Sequence, residues 1–361
     1  MMTRVLTVDP AKPDPAAIEE AAAALKAGKL VVFPTETVYG LGAHAMNADA
    51  VQQIFTAKGR PSTDPLIVHI AHIGQVGQCA MGMPPAARTL ALAFWAGPLT
   101  LILRKKPEVP ALVTAGLESV ALRVPSHRVA RALMEMAGVP VAAPSANRFS
   151  RPSPTTAQHV LEDLDGKVDL ILDGGPTDIG LESTIVDFTV DPPVLRRPGG
   201  LTLEQIRQHV PEVVVQSVAS DGATPQLAPG QLIRHYAPAA TMMLYDGDPD
   251  VVLPRVAADV RTAVAKGERV GILAPEDDLL QLAPTVAAAA AGGRVEVQPI
   301  GSRSDLERAG RNLFAAIRSL DATGVSVIFA VAPGHDGLGR AIRDRLMRAA
   351  DGRIRTIVQD P

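Results

Sequence analysis

Apolar positions along the first 210 residues alternate between two rhythms. Residues 16–26 are alanine-rich, with Ile18, Ala22 and Leu25 on one face, which predicts a helix ended by Gly28. The next run, LVVFPT at 30–35, is a buried strand stopped by Pro34. A helix over about 48–57 and a strand LIVHIA at 66–71 follow. LTLILR (99–104), VALRVP (120–125), VPVAAP (139–144), DLILD (169–173), STIVDF (183–188) and VLRRP (194–198) supply further strands. Several are continuously apolar, as in strands covered on both faces. Thr202 and Gln205 have the spacing of a capping box for a helix at 202–209.

The rhythm then breaks. Residues 213–240 hold DGATPQLAPG, punctuated by Gly and Pro and without periodicity. They end in LIRHYAP, whose titratable and aromatic groups a mere spacer would not need. From 241 a second alternation begins. Strands at 242–246, 269–275, 294–300 and 325–333 are interleaved with helices near 250–266, 304–320 and 338–350. That order predicts an α/β fold with a mostly parallel sheet in the second half. The expected division is a domain over 1–212, a linker or lid over 213–240, and a second domain over 241–361. A chain of 361 residues is long enough for two cores.

Charge narrows the partners. A net charge of −3 gives no global basic field for nucleic acid, and 3% aromatics leave few stacking platforms for single-stranded RNA. With one cysteine, Cys79, no intrachain disulfide or multi-thiolate zinc site can form. The opening MMTRVLTVDPAKPDP lacks the apolar core of a secretion signal, and no apolar run approaches the ~20 residues of a membrane span. A soluble, cytoplasmic protein that avoids membranes is expected.

Five segments place polar groups where strands should end. Pro34-Thr35-Glu36-Thr37-Val38-Tyr39-Gly40-Leu41-Gly42 offers hydroxyls, a phenol and glycines for close backbone approach, although an ordinary hydroxyl-bonded turn reads the same way. Lys58-Gly59-Arg60-Pro61-Ser62-Thr63-Asp64-Pro65 sets two cations in a stiff loop, able to grip one anion or merely to offset a helix dipole. Ala143-Pro144-Ser145-Ala146-Asn147 presents a hydroxyl and an amide. Asp173-Gly174-Gly175 with Glu182-Ser183-Thr184, and Leu195-Arg196-Arg197-Pro198-Gly199, complete the set. Together they describe a crevice of hydroxyls and cations suited to ATP.

Other nucleotide and metal signatures are missing. No G-x-x-x-x-G-K-[ST] or H-E-x-x-H occurs, and the eight histidines lack metal spacing. Gly337-Leu338-Gly339-Arg340-Ala341-Ile342 imitates a dinucleotide fingerprint with Ile342 at the third glycine; close packing or a helix N-terminus explains it equally.

PTETVYGLG, KGRPSTDPLIVHI, APSANRFSRPSPT, DGGPTDIGLESTIVDF and LRRPG resemble the YrdC/Sua5 family of threonylcarbamoyl-AMP synthases. LAPGQLIRHYAP and the trailing domain resemble its longer, Sua5 type, so the likeness spans nearly the whole chain. The resemblance implies a twisted-sheet YrdC-like domain with a concave cavity, plus a smaller Rossmann-like C-terminal domain. It implies synthesis of threonylcarbamoyl-AMP from L-threonine, bicarbonate and ATP with Mg²⁺, releasing pyrophosphate. The product would pass to a tRNA threonylcarbamoyl transferase complex, with weak RNA binding a further expectation. Lys58 and Arg60 match the family's K-x-R pair and take the catalytic role. Arg60, Asp64, Ser119, Ala143, Ser145, Asn147, Ser153, Arg197, His235 and Tyr236 are expected around ATP. Thr35, Thr37, His69, Arg123 and Ser183 are expected around threonine; no protein ligand to a metal is assigned. Asp64 departs from the family's usual Asn and would repel phosphate unless it helps hold Mg²⁺.

Lys58, as a loop cation, is expected to be dispensable for folding. Two rivals remain: a double-stranded RNA binder without catalysis, and carbamoyl transfer as in hydrogenase-maturation proteins. The charge opposes the first, and a single cysteine opposes the zinc modules that accompany the second.

Overall fold

The computed structural model describes residues 2–215, 226–230, 232–290 and 294–357. The chain divides into two compact units, one comprising residues 1–149 and 153–232, the other residues 150–152 and 233 onward.

The first unit is built on an eleven-stranded sheet. Its strands are β1 (Arg4–Thr7), β2 (Val31–Phe33), β3 (Gly40–His44), β4 (Ile67–His69), β5 (Leu99–Arg104) and β6 (Ser119–Arg123). They continue as β7 (Val141–Ala142), β8 (Leu170–Asp173), β9 (Thr184–Asp187), β10 (Val194–Arg197) and β11 (Val214–Val215). Their spatial order is β1-β8-β2-β3-β7-β4-β6-β5-β9-β10-β11, with parallel and antiparallel neighbours mixed.

Alternation along the strands separates two faces. Val68, Leu101, Leu103, Leu122, Val186 and Leu195 join one core, together with Val51 and Ile54 of helix Ala48–Lys58. On the opposite face, Val31, Phe33, Val141, Leu170 and Leu172 are covered by helices Pro15–Lys26 and Arg128–Ala137. That cover does not extend to β5, β6 and β9. There Ile67, Ile102, Ala121 and Ile185 form a small apolar floor whose other member is Ala228. The site begins where the helical cover stops.

In the second unit, β12 (Thr241–Gly247), β13 (Val270–Ala274), β14 (Val295–Pro299), β15 (Val327–Val331) and β16 (Ile354–Ile357) form a parallel sheet in the order β14-β13-β15-β12-β16. Helices Pro249–Ala265, Glu276–Ala290, Leu306–Ala322 and Leu338–Ala349 connect them.

Several elements arise where the hydrophobic pattern gave none: β1, β3, β16 and helices Pro85–Phe94, Arg128–Ala137, Ala157–Leu164 and Glu276–Ala290. In β3 the glycines do not serve a ligand. Gly42 pairs with Val31, and a Cβ there would lie 2.8 Å from the Phe33 ring, so the close approach is internal packing. The fingerprint-like glycines have a similar explanation. A Cβ on Gly339 would stand 2.9 Å from the Gly334 backbone, which fits tight packing at the start of helix Leu338–Ala349.

Candidate functional site

Strand register lays out the site as a row across the open face. His69 of β4 pairs with Arg123 of β6, Arg123 with Thr100 of β5, Thr100 with Ile185 of β9, and Ile185 with Arg197 of β10. Directly paired residues share a face, so segments more than a hundred positions apart meet in one line. The Thr100 and Ser183 hydroxyls are 2.7 Å apart.

A bulge brings both arginines of β10 to that face. Leu195 pairs with Val186 on the core side, and the register then slips so that Arg197, not Arg196, opposes Ile185. Arg196 pairs with Asp187 through Nη2 at 2.8 Å, while Arg197 donates from Nη2 to the Ser183 carbonyl at 2.9 Å. Consecutive residues on a regular strand would point oppositely.

The cation-bearing loop and the Ser145–Asn147 turn are tied together. Helix Ala48–Lys58 ends on Gly59 in the left-handed region, which turns the chain back at Arg60. Lys58 Nζ donates to the Ser145 and Asn147 carbonyls, each at 2.6 Å, and Ser145 Oγ lies 2.5 Å from Asn147 Oδ1. Lys58 is buried, so the expectation of a dispensable loop cation is corrected: it holds the Ser145–Asn147 turn in shape. Arg60 donates to the carbonyls of Asp64 and Pro65 and stands 3.0 Å from Asp64 Oδ2.

Asp64 is the focus of the cations. Burial pushes its carboxyl above the usual range, opposed by Arg60, Lys58 and Arg197 in that order, and by the Gly230 N–H. Three cations from two distant segments, Lys58 with Arg60 and then Arg197, therefore act on one carboxylate.

Thr35 and Thr37 are buried, their hydroxyls 2.8 Å apart, and Thr35 Oγ1 also donates to the Val38 carbonyl. His69 is buried edge-on to Phe33, and burial lowers its imidazole to about 3, with Arg123 adding to the effect. Ser153 donates to Glu182 at 2.5 Å, Ala143 N–H donates to the Ile67 carbonyl, and Ser119 lines a small cavity with Ile102, Ala121, Leu227 and Pro229. His235 and Tyr236 belong to the second unit, where Tyr236 is buried against Phe314 under the Arg345 guanidinium. Tyr236 has φ of 60°, a left-handed backbone uncommon for a tyrosine.

Two residues of the site lay outside the sequence-based set. Thr100 went unremarked, although it is the one polar residue between leucines in LTLILR. Glu36 stood in a quoted motif without a role. Its Oε1 accepts from Arg123 Nη2 at 2.7 Å, deep in the unit. Part of the linker also belongs to this unit. Gln226 N–H donates to the Thr63 carbonyl, Ala228 lies on the apolar floor, and Pro229 accepts from Arg197 Nη1 at 3.2 Å. Residues 216–225 and Gln231 of the predicted linker lie outside the described residues.

Comparison with known proteins agrees over both units. Residues 23–199 match the family of Sua5, YciO and YrdC proteins, described as "Telomere recombination", and residues 201–351 match "Threonylcarbamoyl-AMP synthase, C-terminal domain". The chain is 43% identical to a threonylcarbamoyl-AMP synthase of Pyrococcus abyssi, across 93% of this chain and 95% of that one. It is 45% identical to the Bacillus subtilis protein of the same name, across 93% and 94%. The crystal structure of P. abyssi Sua5 complexed with L-threonine superposes with a TM-score of 0.89 at 42% identity, covering 99% of this chain and 100% of the other. With both family models matched and these relatives aligned almost end to end, the chain belongs to the Sua5 type of the YrdC/Sua5 family of threonylcarbamoyl-AMP synthases.

Proposed function

We propose that this chain makes threonylcarbamoyl-AMP and pyrophosphate from L-threonine, bicarbonate and ATP, for threonylcarbamoyladenosine modification of tRNA. It is a nucleotidyltransferase in reaction class. The observation that carries the reading is the convergence of Lys58, Arg60 and Arg197 on Asp64, beside a row that holds Arg123, Thr100 and Ser183.

The cationic end receives the triphosphate and the Arg123 end receives threonine. Deprotonated threonine attacks bicarbonate to give a carbamate, and the carbamate oxygen attacks the α-phosphorus of ATP in line, expelling pyrophosphate. Such transfers depend on positioning and charge neutralisation more than on covalent catalysis. Lys58 shapes the Ser145–Asn147 turn on which the nucleotide rests, Arg60 and Arg197 offset phosphate charge, and Ser119, Ala143 and Ser153 border the nucleotide. Thr35, Thr37, His69 and Ser183 surround threonine.

Among the described residues no three His, Cys, Asp or Glu side chains group as a metal site. Asp64 alone lies within the cation cluster, so the chain does not fit a resident Mg²⁺; any Mg²⁺ arrives on the triphosphate. No step here is assigned to it.

The division into a catalytic domain over 1–212, a lid over 213–240 and a C-terminal domain over 241–361 is part of the same proposal. The docking of residues 226–230 on the apolar floor supports a lid that keeps water from the carbamate and adenylate. No helix among the described residues is long and apolar enough to cross a membrane, and a cytoplasmic setting with handover to a tRNA transferase follows from the activity.

Incubation with ATP, threonine and bicarbonate, followed by mass spectrometry, tests the reading directly. The adenylate is expected only when all three are present. Its absence from a folded preparation supplied with all three refutes the assignment.

A further inference from the structure

Burial of a carboxylate oxygen without a partner is costly, and such an oxygen in a crevice points to a missing donor. Glu36 presents one. It follows β2, where Ile179 N–H donates to its carbonyl at 2.8 Å and Gly180 N–H to that of Thr37. These bonds fix the backbone, so the side chain has little freedom. Its Oε1 is held by Arg123 at 2.7 Å, while Oε2 is buried with no hydrogen-bond partner among the described residues.

The surroundings give that oxygen a ligand polarity. Arg123 is bound on one side by Glu36 and the Gly97 carbonyl, and pairs in register with Thr100, whose hydroxyl meets Ser183. Cation, anion and hydroxyls thus lie side by side. A free amino acid is a zwitterion whose carboxylate and ammonium are adjacent, and it needs such a pair at such a spacing. Ordinary structural ion pairing would satisfy Oε1 and leave Oε2 to solvent, yet here Oε2 is excluded from solvent as well.

We propose that Glu36 Oε2 accepts the α-ammonium of threonine and takes its proton. The inference rests on the crevice being a threonine site. The ammonium N–H bond breaks, its proton goes to Oε2, and the freed electron pair forms the N–C bond to bicarbonate. A second N–H proton leaves with the bicarbonate hydroxyl as water, giving the carbamate, and Glu36 passes its proton to that water, which carries it out of the crevice. One threonine zwitterion and one bicarbonate thereby yield carbamate, water and one proton. The charged and titratable groups around Glu36 are Arg123 from β6, His127 ahead of helix Arg128–Ala137, and Asp178 from the loop before β9.

The test uses the full-length protein and Glu36→Gln, titrated with L-threonine and with 3-hydroxybutanoate, which lacks the amine. The variant is expected to weaken threonine about 10- to 100-fold, the usual effect of losing one charged hydrogen bond. Its affinity for 3-hydroxybutanoate should stay the same or tighten, because no ammonium is there to be lost. At saturating threonine, variant turnover should fall and then recover about tenfold per pH unit as the free amine fraction grows. Equal weakening of both ligands would mark Glu36 as a support for Arg123 only, and unchanged threonine affinity would remove it from the site. If the unaltered protein binds no threonine, the site reading itself fails, separately from the role of Glu36.

Discussion

Arg60 holds Asp64 at 3.0 Å, Nη2 to Oδ2, and neither side chain reaches solvent. In the absence of nucleotide the carboxylate is the counter-ion of the cation cluster, in the position where phosphate charge is proposed to arrive.

Replacement of that carboxylate should separate two effects. Asp64→Asn keeps an acceptor for Arg60 but removes the negative charge, so the nucleotide-free protein should lose about 2 kcal/mol of stability. ATP affinity should rise, because the triphosphate no longer competes with a fixed carboxylate. Denaturant unfolding with and without ATP measures both, and a variant with weaker ATP binding would contradict the placement.

Lys58→Ala should lose both activity and stability. A half-buried carbonyl, that of Ser145, and a buried one, that of Asn147, lose their donor at 2.6 Å, for a loss of about 2–3 kcal/mol. Pyrophosphate release dependent on threonine and bicarbonate should drop at least about 100-fold, the order expected when the turn that positions a reactant loses its support. Unchanged turnover would remove Lys58 from the machinery; unchanged stability would show that the turn needs no support.

His69 should contribute to acid sensitivity. Its folded value of about 3 lies far below the ordinary 6.5 because burial disfavours the charged ring. Between those values the unfolded chain binds the proton and the folded chain does not, so stability rises with pH through that window and is lost as pH falls from 6.5 toward 3. Above 6.5 the contribution is constant. His69→Gln should reduce the slope of unfolding free energy against pH by up to about 1.4 kcal/mol per unit within the window. His44 and His127 are also lowered by burial, so the difference between the two proteins, not the slope alone, is the measurement.

The sequence made the second unit readable because its strands and helices alternate in chain order, and all five strands pair in parallel. The first unit was harder. β3 is formed by Gly-Leu-Gly-Ala-His, which has no β-branched residue, and exists because β2 and β7 flank it. The family resemblance nominates Arg123 and Ser183, but only register shows that Thr100 links them. Glu36 was hidden by its own motif, since a carboxylate in a hydroxyl-rich turn reads as solvated until its burial is seen. The β10 bulge was equally invisible, because adjacent arginines on a regular strand would have faced opposite sides.

The lid leads to the last prediction. Ala228 completes the floor formed by Ile67, Ile102, Ala121 and Ile185, and Pro229 accepts from Arg197. A carboxylate cannot occupy that floor without losing its hydration, so Ala228→Asp should unseat residues 226–230 while leaving both cores intact. Adenylate yield per ATP consumed should then fall at least about tenfold, because carbamate and adenylate meet water before release. A chain truncated after residue 212 should show the same defect or a deeper one. Product yield and ATP consumption, followed together in both variants, decide the matter. Full yield from the truncated chain would show that the linker and second unit are not needed to protect the intermediates.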